Sequence, residues 1–198
     1  MRPLPRLRAA LGATALALCA IGLAACTEPL GTPDPTGSPV PSAGPSSPPP
    51  RPSPSPSPAL PAAAERSDLE GAIAAAQHFL ELYPYAYNTG DLATWKAMSH
   101  PECVFCASVV ENVEELHSAG GYEVGGHFTF ETVTAREPLP GNEFFAVDFT
   151  VRQDPWTTLD ASGEVAEENS GGSFAILTAV AHTPSGWLVR AVSHEETE

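Results

Sequence analysis

Residues 145–152 read Phe145-Ala146-Val147-Asp148-Phe149-Thr150-Val151-Arg152. Large apolar side chains alternate with small or polar ones, a period of two. Successive side chains of an extended chain point to opposite faces, so this segment is a half-buried strand. It lies beyond Gly120-Gly121, where the apolar period changes from three-to-four residues to two. Phe128 and Phe130 belong to an earlier strand. Residues 174–182 and 187–194 form the last two, joined by Thr183-Pro184-Ser185-Gly186, and Asp160-Ala161-Ser162-Gly163 is a second turn signal. Helices followed by antiparallel strands make an α+β domain. The expected solution is N-terminal helices packed on a curved antiparallel sheet.

Upstream of that switch, Ser67 or Asp68 can cap a helix, with Asp68 and Glu70 as acidic groups in its first turn. Leu69, Ile73, Ala76, Leu80, Tyr83 and Tyr87 then follow at spacings of four and three, one apolar stripe on a long helix. Pro84 removes one hydrogen bond and bends it, and Gly90 suits its left-handed stop. Asp91 can cap a short second helix through Leu92, Trp95 and Met98. Ser99-His100-Pro101-Glu102 has the form of a capping box, which predicts a third helix from about Pro101 to Ser118. Phe105, Val109, Val113 and Leu116 line its buried side, and Glu111, Glu114 and Glu115 face water.

Three helices and then four or more antiparallel strands resemble the nuclear-transport-factor-2-like (cystatin-like) fold, a cone shared with ketosteroid isomerase and many accessory domains. More narrowly, the chain looks like actinobacterial lipoproteins carrying an uncharacterised domain. The stretch Tyr87-Asn88-Thr89-Gly90-Asp91, then Trp95, then Ser99-His100-Pro101-Glu102-Cys103-Val104-Phe105-Cys106 carries that resemblance, which spans about Ala72 to Val192. It implies a fold and a location, and brings no activity with it.

Cys103 and Cys106 are the only thiols of the domain. Outside the cytoplasm two cysteines so spaced are expected to be oxidised together, and helical spacing brings their Cβ atoms within reach of a disulfide after local tightening. A thiol-disulfide oxidoreductase is a second reading, because Cys-x-x-Cys is its motif. Against it, the capping box places Cys103 a full turn inside the helix, and Glu102 beside it disfavours a thiolate. A metal site from His100, Cys103, Cys106 and His117 is a third, weakened by the lack of a second Cys-x-x-Cys or a His pair.

A cone of this kind can hold a small apolar ligand, sometimes with an Asp base. Asp148 is the strand carboxylate, but it lies on the face opposite Phe145, Val147 and Phe149. His127, His182 and His194 fall on different strands and are expected at the surface or rim. Tyr83, Tyr87 and Trp95 are either core or the lining of a pocket, which would be mostly apolar. No Ser-His-Asp set, phosphate loop or His-Glu-x-x-His motif occurs. No catalytic residue, metal or cofactor is assigned.

The chain is acidic, with a net charge of −15 over 198 residues. The region from residue 65 carries only Arg66, Lys96, Arg136, Arg152 and Arg190 as strong cations. That excludes nucleic acid, which needs clustered Lys and Arg, and direct docking on anionic lipid.

The N-terminus decides location. Arg2, Arg6 and Arg8 precede an apolar run from about Ala9 to Leu23, too short for a comfortable membrane span. Leu23-Ala24-Ala25-Cys26 ends it like a lipobox, so residues 1–25 read as a lipoprotein signal peptide and Cys26 as the lipidated mature N-terminus. An ordinary signal peptide cleaved after Ala-x-Ala is the alternative. Two acyl chains on Cys26 suffice for stable anchoring. Residues 26–64 are rich in Pro and Ser and cannot build a core. They read as a disordered tether reaching up to roughly 100 Å in extended form. A Pro-rich docking site or a glycosylated stalk are the rivals. Residues 65–198 are left as one α+β domain. The expected protein is an extracytoplasmic, membrane-anchored lipoprotein whose domain binds an envelope partner or a small apolar ligand. The alternative is an enzyme, working through Cys103 and Cys106 or as an isomerase-like cone with Asp148.

Overall fold

Asp68 opens the first long helix, α1 (Leu69–Thr89), by accepting a hydrogen bond from the Gly71 amide on its side chain, and Gly90 closes it in the left-handed region. The computed structural model describes residues 56–196. The signal segment 1–25, Cys26 and the tether through residue 55 lie outside the described residues.

The apolar stripe expected on α1 is only one side of what is covered. Ala75, Ala76, His78, Phe79, Leu80, Leu82, Tyr83, Pro84, Ala86 and Tyr87 are all buried. Other helices and strands of both sheet ladders pack against α1, so its second half is a core helix. Leu69 and Ile73 at its start are half-buried.

Helix α2 (Ala93–Met98) follows, with the Asp91 carboxylate accepting from the Ala93 amide. The third helix, α3 (Val104–Ser118), starts later than the capping box implied, and Cys103 is its N-cap. The Ser99 hydroxyl is occupied by the helix behind it, donating to the Trp95 carbonyl at 2.7 Å. The Ser99–His100 backbone is extended: Ser99 bridges Val189 in parallel, and the His100 amide donates to the Val189 carbonyl at 3.0 Å. A long-range strand contact therefore overrides the local capping signal.

Seven strands follow: β1 (Tyr122–Gly125), β2 (Phe128–Arg136), β3 (Phe145–Gln153), β4 (Trp156–Leu159), β5 (Val165–Asn169), β6 (Gly172–Thr183) and β7 (Gly186–Glu196). They pair antiparallel as two ladders, β1-β4-β5 and β2-β3-β6-β7. Only two residues separate β1 from β2, β3 from β4, and β5 from β6, so three chains turn one corner together. The Gly126 amide donates to the Pro155 carbonyl at 3.1 Å and the Asp154 amide to the His127 carbonyl at 2.9 Å. Side-chain amides stitch the corner: Gln153 Nε2 donates to the Gly126 carbonyl and Asn88 Nδ2, from the end of α1, to the Gly125 carbonyl. The corner requires glycine. Gly125 (φ 92°) and Gly171 (φ 72°) are left-handed, and a Cβ would lie 2.5 Å from the Pro155 oxygen and 2.2 Å from the Gln153 oxygen, respectively.

The alternation along β3 is as read: Phe145, Val147, Phe149 and Val151 are buried, with half-buried or exposed residues between them. The sequence reading contains no β1, β4 or β5. The single curved sheet is instead two ladders meeting at a bend.

Packed structure begins a few residues before residue 65. Ala62–Glu65 form a 3-10 turn with Ala64 3 % exposed, and the Trp187 indole N–H donates to the Ala64 carbonyl at 2.8 Å. A buried indole needs an acceptor, and the last tether residues supply it.

Candidate functional site

The Trp95-to-Cys106 segment forms a clasp between α2, α3 and β7. Trp95 is 1 % exposed and stacks on Phe79 with centroids 4.0 Å apart. Its indole N–H donates to the Cys106 carbonyl at 3.1 Å. Cys103 and Cys106 stand at disulfide distance, S–S 2.01 Å. Arg190 donates to the Glu102 carbonyl and pairs with the Glu102 carboxylate, both at 2.9 Å. A cleft of about 330 Å³ opens between α2 and α3, with Lys96, His100, Cys103, Cys106, Ala107 and Val110 among its lining.

The helix position assumed for Cys103 is corrected here. Its sulfur accepts from the Cys106 amide at 3.2 Å, the N-terminal placement that lowers a thiol pKa in redox motifs. Burial opposes exchange chemistry, because Cys103 and Cys106 are 2 % and 1 % exposed and a thiolate must reach a sulfur in line. The third reading fares worse. The sulfurs are bonded to each other, and His117 Nε2 lies 2.9 Å from the Tyr87 carbonyl, holding α3 to the end of α1. Among the described residues no group of His, Cys, Asp and Glu is arranged to hold a metal ion. Cys103→Ala/Cys106→Ala is expected to cost about 2 kcal/mol, the chain-entropy value for so short a loop. Guanidinium unfolding of both forms measures it.

Asp148 lies on the outer sheet face and accepts from Arg136 at 2.8 Å. His127, expected on a strand, lies instead in the corner between β1 and β2, and His182 is on β6; both are exposed, and the His182 ring sits 5.0 Å from Trp187. None of these meets another titratable group in an enclosed space.

Tyr83, Tyr87 and Trp95, expected as core or pocket lining, are 8, 2 and 1 % exposed. Tyr83 lies 4.9 Å from Tyr87 and 6.3 Å from Trp95. They form the packed floor of a different aromatic group. Above Tyr83, the rings of Phe105 on α3 and Phe128 on β2 stand 6.3 and 6.1 Å away. Phe130 meets Phe149 at 5.3 Å, and His194 meets Phe105 and Phe174 at 6.4 and 6.5 Å. Phe130, Val151 and Phe174 are in register on neighbouring strands, so two aromatic walls flank a smaller side chain. Phe105, Phe128 and Phe130 are half-buried and His194 is exposed. This rim joins α3 to both sides of the sheet. The periodicity shows each ring inside its own element but not that they converge.

His78, unremarked in the sequence reading, is 1 % exposed on α1, and its Nδ1 has no protein partner; neither does the buried Thr178 Oγ1. Burial pushes the His78 pKa down, opposed by Glu81 one turn along. The folded state thus holds His78 neutral while the unfolded chain takes up its proton near pH 6.5. Stability is expected to be intact above that pH and to fall as pH drops toward and through the lower folded value. Melting temperatures of wild type and His78→Gln between pH 8 and 5 test this, the variant giving the flatter profile.

Comparison with known proteins agrees with this architecture. The intermembrane space region of chloroplast protein ARC6 superposes with a TM-score of 0.52 at 12 % identity, over 67 % of this chain and 99 % of that one. An uncharacterised protein with a cystatin-like fold from Caulobacter vibrioides gives 0.40 at 12 % identity, over 63 % and 88 %. ActVI-ORFA from Streptomyces coelicolor gives 0.39 at 16 %, over 63 % and 98 %. No curated protein matches the chain. At 12 % identity the likeness to the ARC6 region is one of fold alone: α+β, with helices on antiparallel sheet. A family model matches residues 45–193, taking in the packed turn at 62–65 and the whole clasp, and the chain belongs to that family, the family of unknown function DUF6318.

Proposed function

We propose that this chain is an extracytoplasmic lipoprotein of the actinobacterial kind, anchored through lipidated Cys26, whose domain is a non-enzymatic binding module on a Pro-rich stalk. The observation that supports binding is the half-exposed rim of Phe105, Phe128 and Phe130 over Tyr83, with His194 at its edge. Half-exposed aromatic rings with a polar group beside them suit a small apolar ligand or an apolar side chain of an envelope partner. The lipobox, the short apolar run and the tether composition support the anchor. The α+β domain is taken to follow the tether.

Native mass spectrometry of the full-length protein extracted from its own envelope tests the reading. The expected result is lipid on Cys26 and a stoichiometric extra mass on the domain, lost in Phe130→Ala. A domain of bare mass that copurifies with nothing sinks the binding role. A Cys26→Ser protein that stays in the membrane fraction sinks the anchor.

One observation favours a second reading, thiol-disulfide exchange: Cys103 caps α3. A reduction potential below about −300 mV marks an inert structural bond, the result expected from the burial of both sulfurs.

A further inference from the structure

Strand β2 stands at one end of the β2-β3-β6-β7 ladder. The strand at the other end, β7, is bridged on its outer side by the extended Ser99–His100 segment. Among the described residues nothing pairs with the outer side of β2. The edge strands of the smaller ladder, β1 and β5, are only four and five residues long, whereas β2 has nine.

Register fixes which groups that edge presents. The Asp154 amide donates to the His127 carbonyl, and along an antiparallel pair bonded and non-bonded positions alternate. Phe128 and Phe130, opposite Gln153 and Val151, therefore turn their N–H and C=O away from β3. A bulge leaves Glu131 out of register, and the alternation resumes with Val133 and Ala135 opposite Phe149 and Val147. Opposite residues share a sheet face, and Gln153, Val151, Phe149 and Val147 are all buried. The same four residues of β2 thus carry its inward side chains. Their cover is incomplete: Phe128, Phe130 and Ala135 are half-buried and Val133 is 42 % exposed. An open backbone edge and an open apolar row coincide.

We propose that the outer edge of β2 receives an extended peptide of another protein as an added strand, its apolar side chains alternating with Lys or Arg. This rests on the binding reading above, because Phe128 and Phe130 belong to both, and it names the partner class. N–H and C=O groups recurring at every second residue are matched by another extended chain. Every second side chain of that chain joins the row of Phe128, Phe130, Val133 and Ala135, which favours apolar residues there. Charge sets the others. Glu131 and Glu137 are exposed, Arg136 is taken by Asp148 at 2.8 Å, and the chain carries −15, so a basic partner is complementary. A second copy would bring its own Glu131 and Glu137 to the same edge, and like charges placed opposite destabilise a strand pair. The Pro-rich residues 48–58 of this chain lack the N–H groups to pair. The bulge at Glu131 discourages indiscriminate pairing, so the contact is weak and selective.

Calorimetric titration and hydrogen exchange of the full-length protein in detergent micelles test this. The probe is a short peptide, capped at both ends, in which valine alternates with lysine. It should bind below about 1 mM, where even weak specific contacts show, and slow exchange in residues 128–136. N-methylating every residue of the peptide, or replacing its lysines by glutamates, should weaken binding at least roughly tenfold. So should Ala135→Pro, which deletes one outward N–H where an edge strand tolerates proline; if that variant does not fold, the N-methylated peptide still decides. No binding up to about 1 mM overturns the proposal. So does binding that N-methylation leaves intact, that the glutamate peptide matches, or that protects a different strand. Binding lost in Phe130→Ala but indifferent to N-methylation removes the added strand and leaves the aromatic rim as a site. Failure of the rim reading shows separately, as a bare domain mass in the envelope preparation, which involves no peptide.

Discussion

Gly171→Ala is expected to destabilise the domain by roughly 2–5 kcal/mol, a large share of the 5–15 kcal/mol a typical domain possesses. Two effects add. The residue sits at φ 72°, where a Cβ costs about 1–2 kcal/mol. The new Cβ would also lie 2.2 Å from the Gln153 carbonyl oxygen and 2.8 Å from the Asp154 carbonyl carbon. Those are backbone atoms, so relief means opening the corner where β3 becomes β4, and forced overpacking costs about 1–3 kcal/mol more. Gly141→Ala is the control: φ is 85° there, but nothing lies within 4 Å of the added carbon, so only the first effect remains. Urea unfolding of both variants gives the difference. Equal losses would mean that the corner does not need the close approach.

Trp95→Ala is expected to cost roughly 3–5 kcal/mol, the usual value for deleting a buried large aromatic. The indole fills the space between Phe79 at 4.0 Å and Phe105 at 6.2 Å, and its N–H satisfies the Cys106 carbonyl. Removing it leaves a cavity under α3 and releases the clasp that holds Cys103 and Cys106. Trp95→Phe keeps most of the stack and loses one hydrogen bond, and should cost about 1 kcal/mol from that loss. Thermal melts rank the two, and hydrogen exchange at the start of α3 should rise in the alanine variant. Unchanged protection there would show that the disulfide alone orders that helix end.

Both variants bear on how much was legible beforehand. The alternation Phe145 to Val151 needs only the two-residue period of a strand, and it reads true because one face of that strand meets α1. The stop at Gly90 and the cap at Asp68 are likewise local, each satisfied within a few residues. The start of α3 was misread because Ser99-x-x-Glu102 is a local signal, whereas the Ser99–His100 backbone is claimed by Val189, some ninety positions away in sequence. Strands β1, β4 and β5 are only four or five residues long. Their ladders depend on neighbours brought round the corner, and so short a segment shows no period.

The candidate site divides in the same way. Pairing of Cys103 with Cys106 is a matter of three residues of spacing, and the lipobox-like and tether-like readings of the N-terminus rest on composition and order alone. The sequence by itself therefore determined the class of fold, the three helices ahead of the strands, the strands from β2 and β3 to β6 and β7, and the spacing of the cysteine pair. Which rings meet was decided only by the tertiary structure. Tyr83, Tyr87 and Trp95 sank into the floor, while Phe105, Phe128, Phe130 and His194 came together at the rim from three separate elements. Periodicity gives the face of an element on which a side chain lies, but which faces meet depends on the bend at Gly125 and Gly171 and on the contact of Ser99 and His100 with β7. Those are long-range contacts, absent until the chain has closed on itself.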